Sequence, residues 1–314
     1  MMAFDQETLR LLLGIFGLLS FASLVVFLLR SRIKSKAGVS TLQNLSARIK
    51  AWWIMTVIFV FAMLTGGTGS VVLFALISFL ALREFITLTP TRKADHRSLF
   101  WAFFIIIPYQ YFLVGTQYYG MFSIFIPVYA FLFIPIQSLK GEDYERFLER
   151  TAKIQWGLMI CVYCASHAPA LLMLKIPNFS GQNAKLLFFL VLVVQLSDVF
   201  QYVFGKMLGR TPIMPKISPH KTVEGFVGGI VAATFIGSSL WWLTPFTVWQ
   251  AAGMAFLIAM LGFFGGATMS AIKRDRGVKD YGNLIEGHGG MLDRIDSLCF
   301  AAPVYFHLIR FYST

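Results

Sequence analysis

Apolar runs of about twenty residues recur along the whole chain and leave it almost no choice of environment. The first is "LRLLLGIFGLLSFASLVVFLL", residues 9–29. About 20 apolar residues cross a hydrocarbon core of roughly 30 Å as a helix. Comparable segments lie at 51–65, 70–88, 99–114, 120–137, 154–174, 185–204, 225–243, 249–272 and 297–312. Residues 51–88 can also be parsed as one broken unit around "GGTG". In lipid every backbone N–H and C=O must be satisfied internally, so the expected fold is an all-α integral membrane protein with about ten transmembrane helices. Charged residues make up 13% of the chain, against about a quarter in a soluble domain. That leaves no room for a large soluble unit, and residues 1–314 read as one polytopic membrane domain.

The first run follows "MMAFDQETLR". A signal peptide opens on a basic region and closes on small residues, so this segment is expected to be a retained helix. Cys161 and Cys164 form a CxxC embedded in "GLMICVYCASHA". A redox pair sits at a partly polar helix start. Helix packing is the plainer reading, with redox chemistry or zinc as the alternative, and no disulfide framework is implied.

Short cytoplasmic loops collect Lys and Arg. With the N-terminus placed outside, all 27 Lys and Arg residues except Arg10, Lys175, Lys185 and Arg310 fall at the inner face, in loops 30–50, 89–98, 138–153, 205–224 and 273–296 or at the adjoining helix end. The alternation supports an N-out, C-out orientation. The net charge of +12 then reflects topology and attraction to anionic headgroups, and needs no nucleic-acid partner. Within it, "SLKGEDYERFLERTAK", residues 138–153, reads as a short amphipathic surface helix with a solvated charged face.

Two inner loops carry polar residues that are specific rather than merely basic. The first is "SDVFQYVFGKMLGRTPIMPKISPHKTVEGFVGG", residues 197–229. Asp198 lies near the inner end of an apolar run, where ionisable groups are costly and often functional. A helix-end anchor paired with a lysine is the plainer alternative. Gln201 and Tyr202 follow one turn on. Pro215 and Pro219 prevent a continuous helix. Ser218, Lys221 and Thr222 then precede a helix expected to begin near Glu224, an arrangement that suits a phosphate and equally suits an ordinary turn and N-cap.

The second loop is "SAIKRDRGVKDYGNLIEGHGGMLDRIDS", residues 270–297. Asp293 and Asp296 are three apart and share a helix face. Paired carboxylates beside Gly287, Gly289 and Gly290 suit Mg²⁺ bridging to phosphates. They also suit the start of a helix, where carboxylates complement the dipole. Lys273, Arg274, Lys279 and Arg294 offer phosphate contacts. His288 reads as a general acid or base, a phosphate contact or a turn residue.

Ser270, Lys273–Arg274, Lys279–Asp280, His288–Gly289–Gly290, Asp293–Arg294 and Asp296, with Asp198, Tyr202, Gly205, Gly209, Pro215, Ser218–Pro219, Lys221–Thr222 and Glu224–Gly225 upstream, resemble the signature of the phosphatidate cytidylyltransferase (CDP-diacylglycerol synthase) family. The resemblance is close over the C-terminal third, within a motif region of 185–314. The earlier spans match in hydropathy alone, and residues 1–50 resemble an added helix and basic loop. It implies that CTP and phosphatidic acid give CDP-diacylglycerol and pyrophosphate in phospholipid synthesis. Mg²⁺, with a monovalent cation such as K⁺, is the implied cofactor, and a homodimer the implied assembly. Asp293, Asp296, Lys273, Arg274, Asp280 and His288 would be catalytic, with Asp293 and Asp296 on the metal. Asp198, Tyr202, Ser218, Lys221, Thr222, Glu224, Lys279 and Arg294 would bind substrate.

One position departs from the pattern. Gly266, in "GFFGGATMSAIKRD", stands where the family carries a metal-ligand aspartate, and a glycine has no side chain to ligate. Asp296, Asp280 or Asp198 would then substitute, or substrate and metal use differ, or catalysis is impaired. A CTP-dependent kinase of a polyprenol-type lipid is the alternative enzyme.

Overall fold

All ten segments expected to cross the membrane are helical in the computed structural model, which describes residues 6–32, 36–177, 179–284 and 289–313. Helices α1 (Gln6–Arg32) and α2 (Lys36–Leu64) pack on each other. Their contact includes Phe16 on Trp53 and a 3.1 Å bond from Trp53 Nε1 to Ser23 Oγ. A turn at Gly66, φ 87°, leads into α3 (Gly67–Thr87).

The next three spans are helices interrupted by wider π-type turns. They are α4 (His96–Trp101) through Ala102–Ile106 to α5 (Ile107–Gly115), then α6 (Tyr119–Ile124) through Phe125–Ala130 to α7 (Phe131–Leu139). The third is α8 (Phe147–Gly157) through Leu158–Cys164 to α9 (Ala165–Ala170). Prolines account for the first two interruptions. Pro108, for example, has no N–H for the carbonyl of Phe104 four residues back, so the helix widens there instead of breaking.

Helix α10 (Asn183–Leu208) precedes an antiparallel hairpin of β1 (Pro212–Met214) and β2 (Ser218–Thr222), with Pro212 opposite Thr222 and Met214 opposite Ser218. The chain ends in α11 (Val223–Ser239), α12 (Val248–Asp275) and α13 (Leu292–Ser313). Among the described residues, eight segments are long and apolar enough to cross a membrane. The other two of the expected ten are α11, apolar but 17 residues long, and α13, whose first turns carry Asp293, Arg294 and Asp296. The protein is an all-α, multi-pass integral membrane protein.

Two expectations need correction. Much of the basic loop placed at 30–50 is helix, because α2 begins at Lys36; no proline interrupts that stretch. Residues 138–153 do not form one amphipathic helix. The chain turns between Leu139 and Phe147, with positive φ at Glu142 and Arg146. Its charges are only partly solvated. Arg150 is 5% exposed and bonds Asp95 at 3.0 Å, Asp143 at 2.9 Å and the carbonyls of Glu145 and Asp143. A buried guanidinium needs such partners, and the chain bends to bring them.

Interhelical contacts follow membrane rules, in which small residues allow close approach and polar side chains bond across helices. Ser78 meets Tyr111 at 2.6 Å, Ser98 meets Ser138 at 2.8 Å and Gln110 donates to Ser166 at 3.2 Å. Helices α10 and α11 approach closely along a glycine seam. A Cβ on Gly225 would stand 2.7 Å from the carbonyl oxygen of Gln201, and one on Gly229 would stand 2.3 Å from the Gln201 side chain. That seam draws the chain entering α11 against α10, with Thr222 Oγ1 3.3 Å from where a Cβ on Gly205 would stand.

Candidate active site

Four segments converge at the end of the bundle that carries the hairpin. Helix α10 contributes Asp198 and β2 contributes Lys221. Helix α12 contributes Gly266, Lys273 and Arg274, and α13 contributes Asp293, Arg294, Asp296 and Ser297. The first predicted loop and the second therefore build one site.

At its centre Lys221 reaches toward α12. A Cβ on Gly266 would lie 3.2 Å from Lys221 Nζ, 3.4 Å from Ser297 Oγ and 3.9 Å from Asp296 Oδ2. The glycine leaves that volume to the ammonium group, which also stands 4.7 Å over the Phe263 ring. Burial lowers the pKa of Lys221, while the charges of Asp198 and Asp296 act in the opposite direction. No hydrogen bond or direct ion pair engages Lys221 among the described residues. Asp198 and Asp296 are close enough to repel each other, and the Ser297 hydroxyl, Lys221 and Arg294 also act on Asp198. Asp296 Oδ1 accepts from the Ser297 amide at 2.7 Å.

Asp293 is held quite differently. Its Oδ1 accepts from Lys273 at 2.8 Å, and its Oδ2 accepts from the amides of Tyr281 at 2.8 Å and Gly290 at 3.0 Å. Its side chain is 4% exposed. Lys273 is thereby committed to Asp293. Arg274 donates to the carbonyls of Ile217 at 3.2 Å and Val278 at 3.1 Å, tying the hairpin to the second loop. Ser270 donates back to the Gly266 carbonyl at 2.6 Å. Arg294 differs from these, since its Nε is buried with no partner among the described residues.

Other predicted residues take structural positions. Thr222 caps α11, its Oγ1 accepting from Gly225 N at 3.1 Å. Glu224 accepts from the amides of Arg210 and Thr211 at 3.0 and 3.2 Å and closes the base of the hairpin. Ser218 opens β2 opposite Met214. Tyr202 is 66% exposed, with Lys206 beside its ring, and lies on the surface of α10. Its neighbour Gln201 bonds inward to Ser197 at 2.7 Å. Lys279 and Asp280 are exposed, although Asp280 packs across Gly289, whose φ is 84°. His288 lies outside the described residues.

Sequence reasoning passed over two participants. Ser297 turns its hydroxyl toward Gly266 and acts on Asp198 from α13, next to the predicted Asp296. Glu84, in the last turns of α3, accepts from the amides of Met291 and Leu292 at 2.9 Å each. The available signal was a lone carboxylate in the apolar "ALREFITLT", costly at membrane depth unless partnered.

Among the described residues no three His, Cys, Asp or Glu side chains are grouped to hold a metal ion by themselves, the Cys161–Cys164 pair included. The carboxylates of Asp198 and Asp296 with the Ser297 hydroxyl are nevertheless an all-oxygen set. Such a set suits a hard cation that completes its shell with water and phosphate oxygens.

The sequence pattern of the cytidylyltransferase family matches residues 46–312. The chain is 42% identical over 303 residues, covering 95% of it and 96% of the relative, to the uncharacterized protein YnbB of Escherichia coli (strain K12). It is 26% identical over 259 residues, 80% of this chain and 94% of the relative, to a phosphatidate cytidylyltransferase of Staphylococcus aureus (strain COL). A phosphatidate cytidylyltransferase of Aquifex aeolicus (strain VF5) is 37% identical over 139 residues, 44% of this chain and 52% of the relative.

Proposed function

The chain belongs to the cytidylyltransferase family, and from that premise we propose that it converts CTP and phosphatidic acid to CDP-diacylglycerol and pyrophosphate. The observation that carries this reading is the contrast among the site's cations. Lys273 and Arg274 are engaged by the protein. Lys221 and the Arg294 Nε are uncommitted among the described residues and stand with the Asp198 and Asp296 carboxylates. Two anionic substrates must be drawn together, and uncommitted donors in a partly dry site bind phosphate oxygens most strongly.

In the reaction a phosphate oxygen of phosphatidic acid forms a bond to the α-phosphorus of CTP. The bond from that phosphorus to the β-phosphate bridging oxygen breaks, and pyrophosphate leaves with the electron pair. Phosphoryl-type transfer is governed by positioning and charge neutralisation. Lys221 and Arg294 hold the nucleotide phosphates. Arg274 fixes the hairpin against the second loop, and Lys273 fixes Asp293. Asp198 and Asp296, with the Ser297 hydroxyl, are the residues that would hold Mg²⁺, which when bound supplies positive charge to the leaving phosphates. Asp293, engaged by Lys273 and two amides, would border the ion. The basic inner loops support a cytosolic face for this site, where CTP is available, with the N-terminus outside.

The test is turnover by purified protein in lipid nanodiscs with CTP, Mg²⁺ and phosphatidic acid. The expected products are pyrophosphate and CDP-diacylglycerol in equal amounts. Release of CDP with a phosphorylated polyprenol would assign a lipid kinase instead. Lack of turnover with either lipid, across Mg²⁺ and Mn²⁺, would overturn the reading.

A further inference from the structure

We propose that Glu84 is a positioning residue of the site, a role that rests on the cytidylyltransferase reading above. Glu84 lies in α3, far in sequence from both predicted loops. Its two carboxylate oxygens each accept a different backbone amide, Oε1 from Met291 and Oε2 from Leu292, both at 2.9 Å. These amides open α13, whose second residue is Asp293. The carboxylate of another helix thus does the work of an N-cap, and it brings negative charge to the positive end of the helix dipole.

The loop is shaped to receive it. A Cβ on Gly290 would stand 2.4 Å from Glu84 Oε2, and one on Gly282 would stand 2.9 Å from Glu84 Oε1. Gly282 follows Tyr281, and Tyr281 N and Gly290 N are the two amides that bond Asp293 Oδ2. Both strands of backbone that grip Asp293 therefore close on Glu84 from either side. Glu84 touches no reacting group. It fixes the backbone that fixes Asp293, and Asp293 in turn holds Lys273 at 2.8 Å. Only glycine at 282 and 290 leaves room for this arrangement.

This placement predicts a particular kinetic signature. Lys221 and Arg294, the uncommitted cations, are not contacted by Glu84, so binding of CTP is not its function. Loosening Asp293 misplaces charge at the reacting phosphates. Partners that orient the groups around a metal site typically cost roughly 10–100-fold in activity or metal affinity when removed. Glu84→Gln keeps the shape and loses the charge.

The experiment compares wild type, Glu84→Gln, Glu84→Asp and Gly290→Ala as full-length proteins in nanodiscs, by steady-state kinetics and by amide hydrogen exchange. In Glu84→Gln, kcat is expected to fall roughly 10-fold or more with KM for CTP unchanged. Exchange at Met291 and Leu292 is expected to accelerate while the remaining helices keep wild-type protection. Gly290→Ala should reproduce both effects with the carboxylate intact, and Glu84→Asp should restore part of kcat. Unchanged exchange at Met291 and Leu292 would overturn the clamp. Accelerated exchange with unchanged kcat would overturn its part in catalysis. If Glu84→Gln does not fold, Gly290→Ala and Glu84→Asp decide by the same criteria. If the wild type shows no cytidylyl transfer, the functional reading fails while the exchange data still decide whether Glu84 holds the loop.

Discussion

Lys221 Nζ lies 3.2 Å from the point where a Cβ on Gly266 would stand. The absent side chain on α12 and the ammonium entering from β2 are two halves of one arrangement. Gly266→Asp would bring a carboxylate onto Lys221, and the two would pair. Lys221 would then be lost to the nucleotide. A hydrogen bond to a charged group contributes about 1.5–3 kcal/mol, so the Kd for CTP is expected to rise roughly 10- to 100-fold. Isothermal titration with CTP checks this. If Gly266→Asp alone turns over and the wild type does not, the native chain is an impaired member of its family.

Lys221→Met gives the complementary result. The side chain stays long and apolar against Phe263, so the fold persists while the charge is gone. CTP affinity is expected to fall by a similar factor, and Gly266→Asp added to Lys221→Met should cost little more. Near-additive losses would show that Gly266 and Lys221 act separately.

Asp293 and Asp296 are expected to part company. Asp293→Asn leaves Lys273 buried without its counter-charge and disturbs an acceptor of two amides. Breaking a buried pair costs about 3–5 kcal/mol. Activity and thermal stability should therefore fall together. Among the described residues Asp296 accepts one hydrogen bond, from the Ser297 amide, and it is buried beside the like charge of Asp198. Asp296→Asn should abolish turnover with the melting temperature kept or raised. Equal destabilisation of the two variants would remove this distinction.

How much of this was legible in sequence depended on range. The ten spans showed because lipid demands long apolar helices, and the two loops showed because their polar residues cluster locally. The hairpin was partly visible through Pro215 and Pro219. What stayed hidden was long-range pairing. Glu84 reads as one more charge near a helix end until Met291 and Leu292 are seen against it. Arg150 read as part of a solvated face because Asp95, its buried partner, lies on a different segment. Tyr202 sits one turn beyond Asp198 in sequence, yet lies on the surface, since Gln201 takes the inward position against Gly229.

Arg150 supplies a stability prediction away from the chemistry. It is 5% exposed, and its partner Asp95 is 1% exposed. Arg150→Met removes the guanidinium and strands the Asp95 carboxylate, at a cost of about 3–5 kcal/mol. Specific activity of the folded fraction should stay at the wild-type value, because none of these groups contacts the site. Thermal unfolding followed by circular dichroism, with turnover measured on the surviving monodisperse fraction, checks both halves. A fall in kcat at full stability would place the Arg150 cluster in the catalytic apparatus.

Chelation separates the fold from the chemistry. No group of three or more His, Cys, Asp or Glu among the described residues is placed to hold a metal, and the helices are expected to assemble without one. A cation held by Asp296 and Asp198 with the Ser297 hydroxyl would draw its remaining ligands from water and phosphate oxygens. EDTA should therefore stop turnover completely, leave helical content and melting temperature unchanged, and be reversed by Mg²⁺. The Mg²⁺ concentration for half-maximal rate should fall as CTP is raised, since the nucleotide supplies ligands. A melting temperature that drops on chelation would mean that the ion belongs to the fold, and full activity in EDTA would mean that Lys221 and Arg294 suffice.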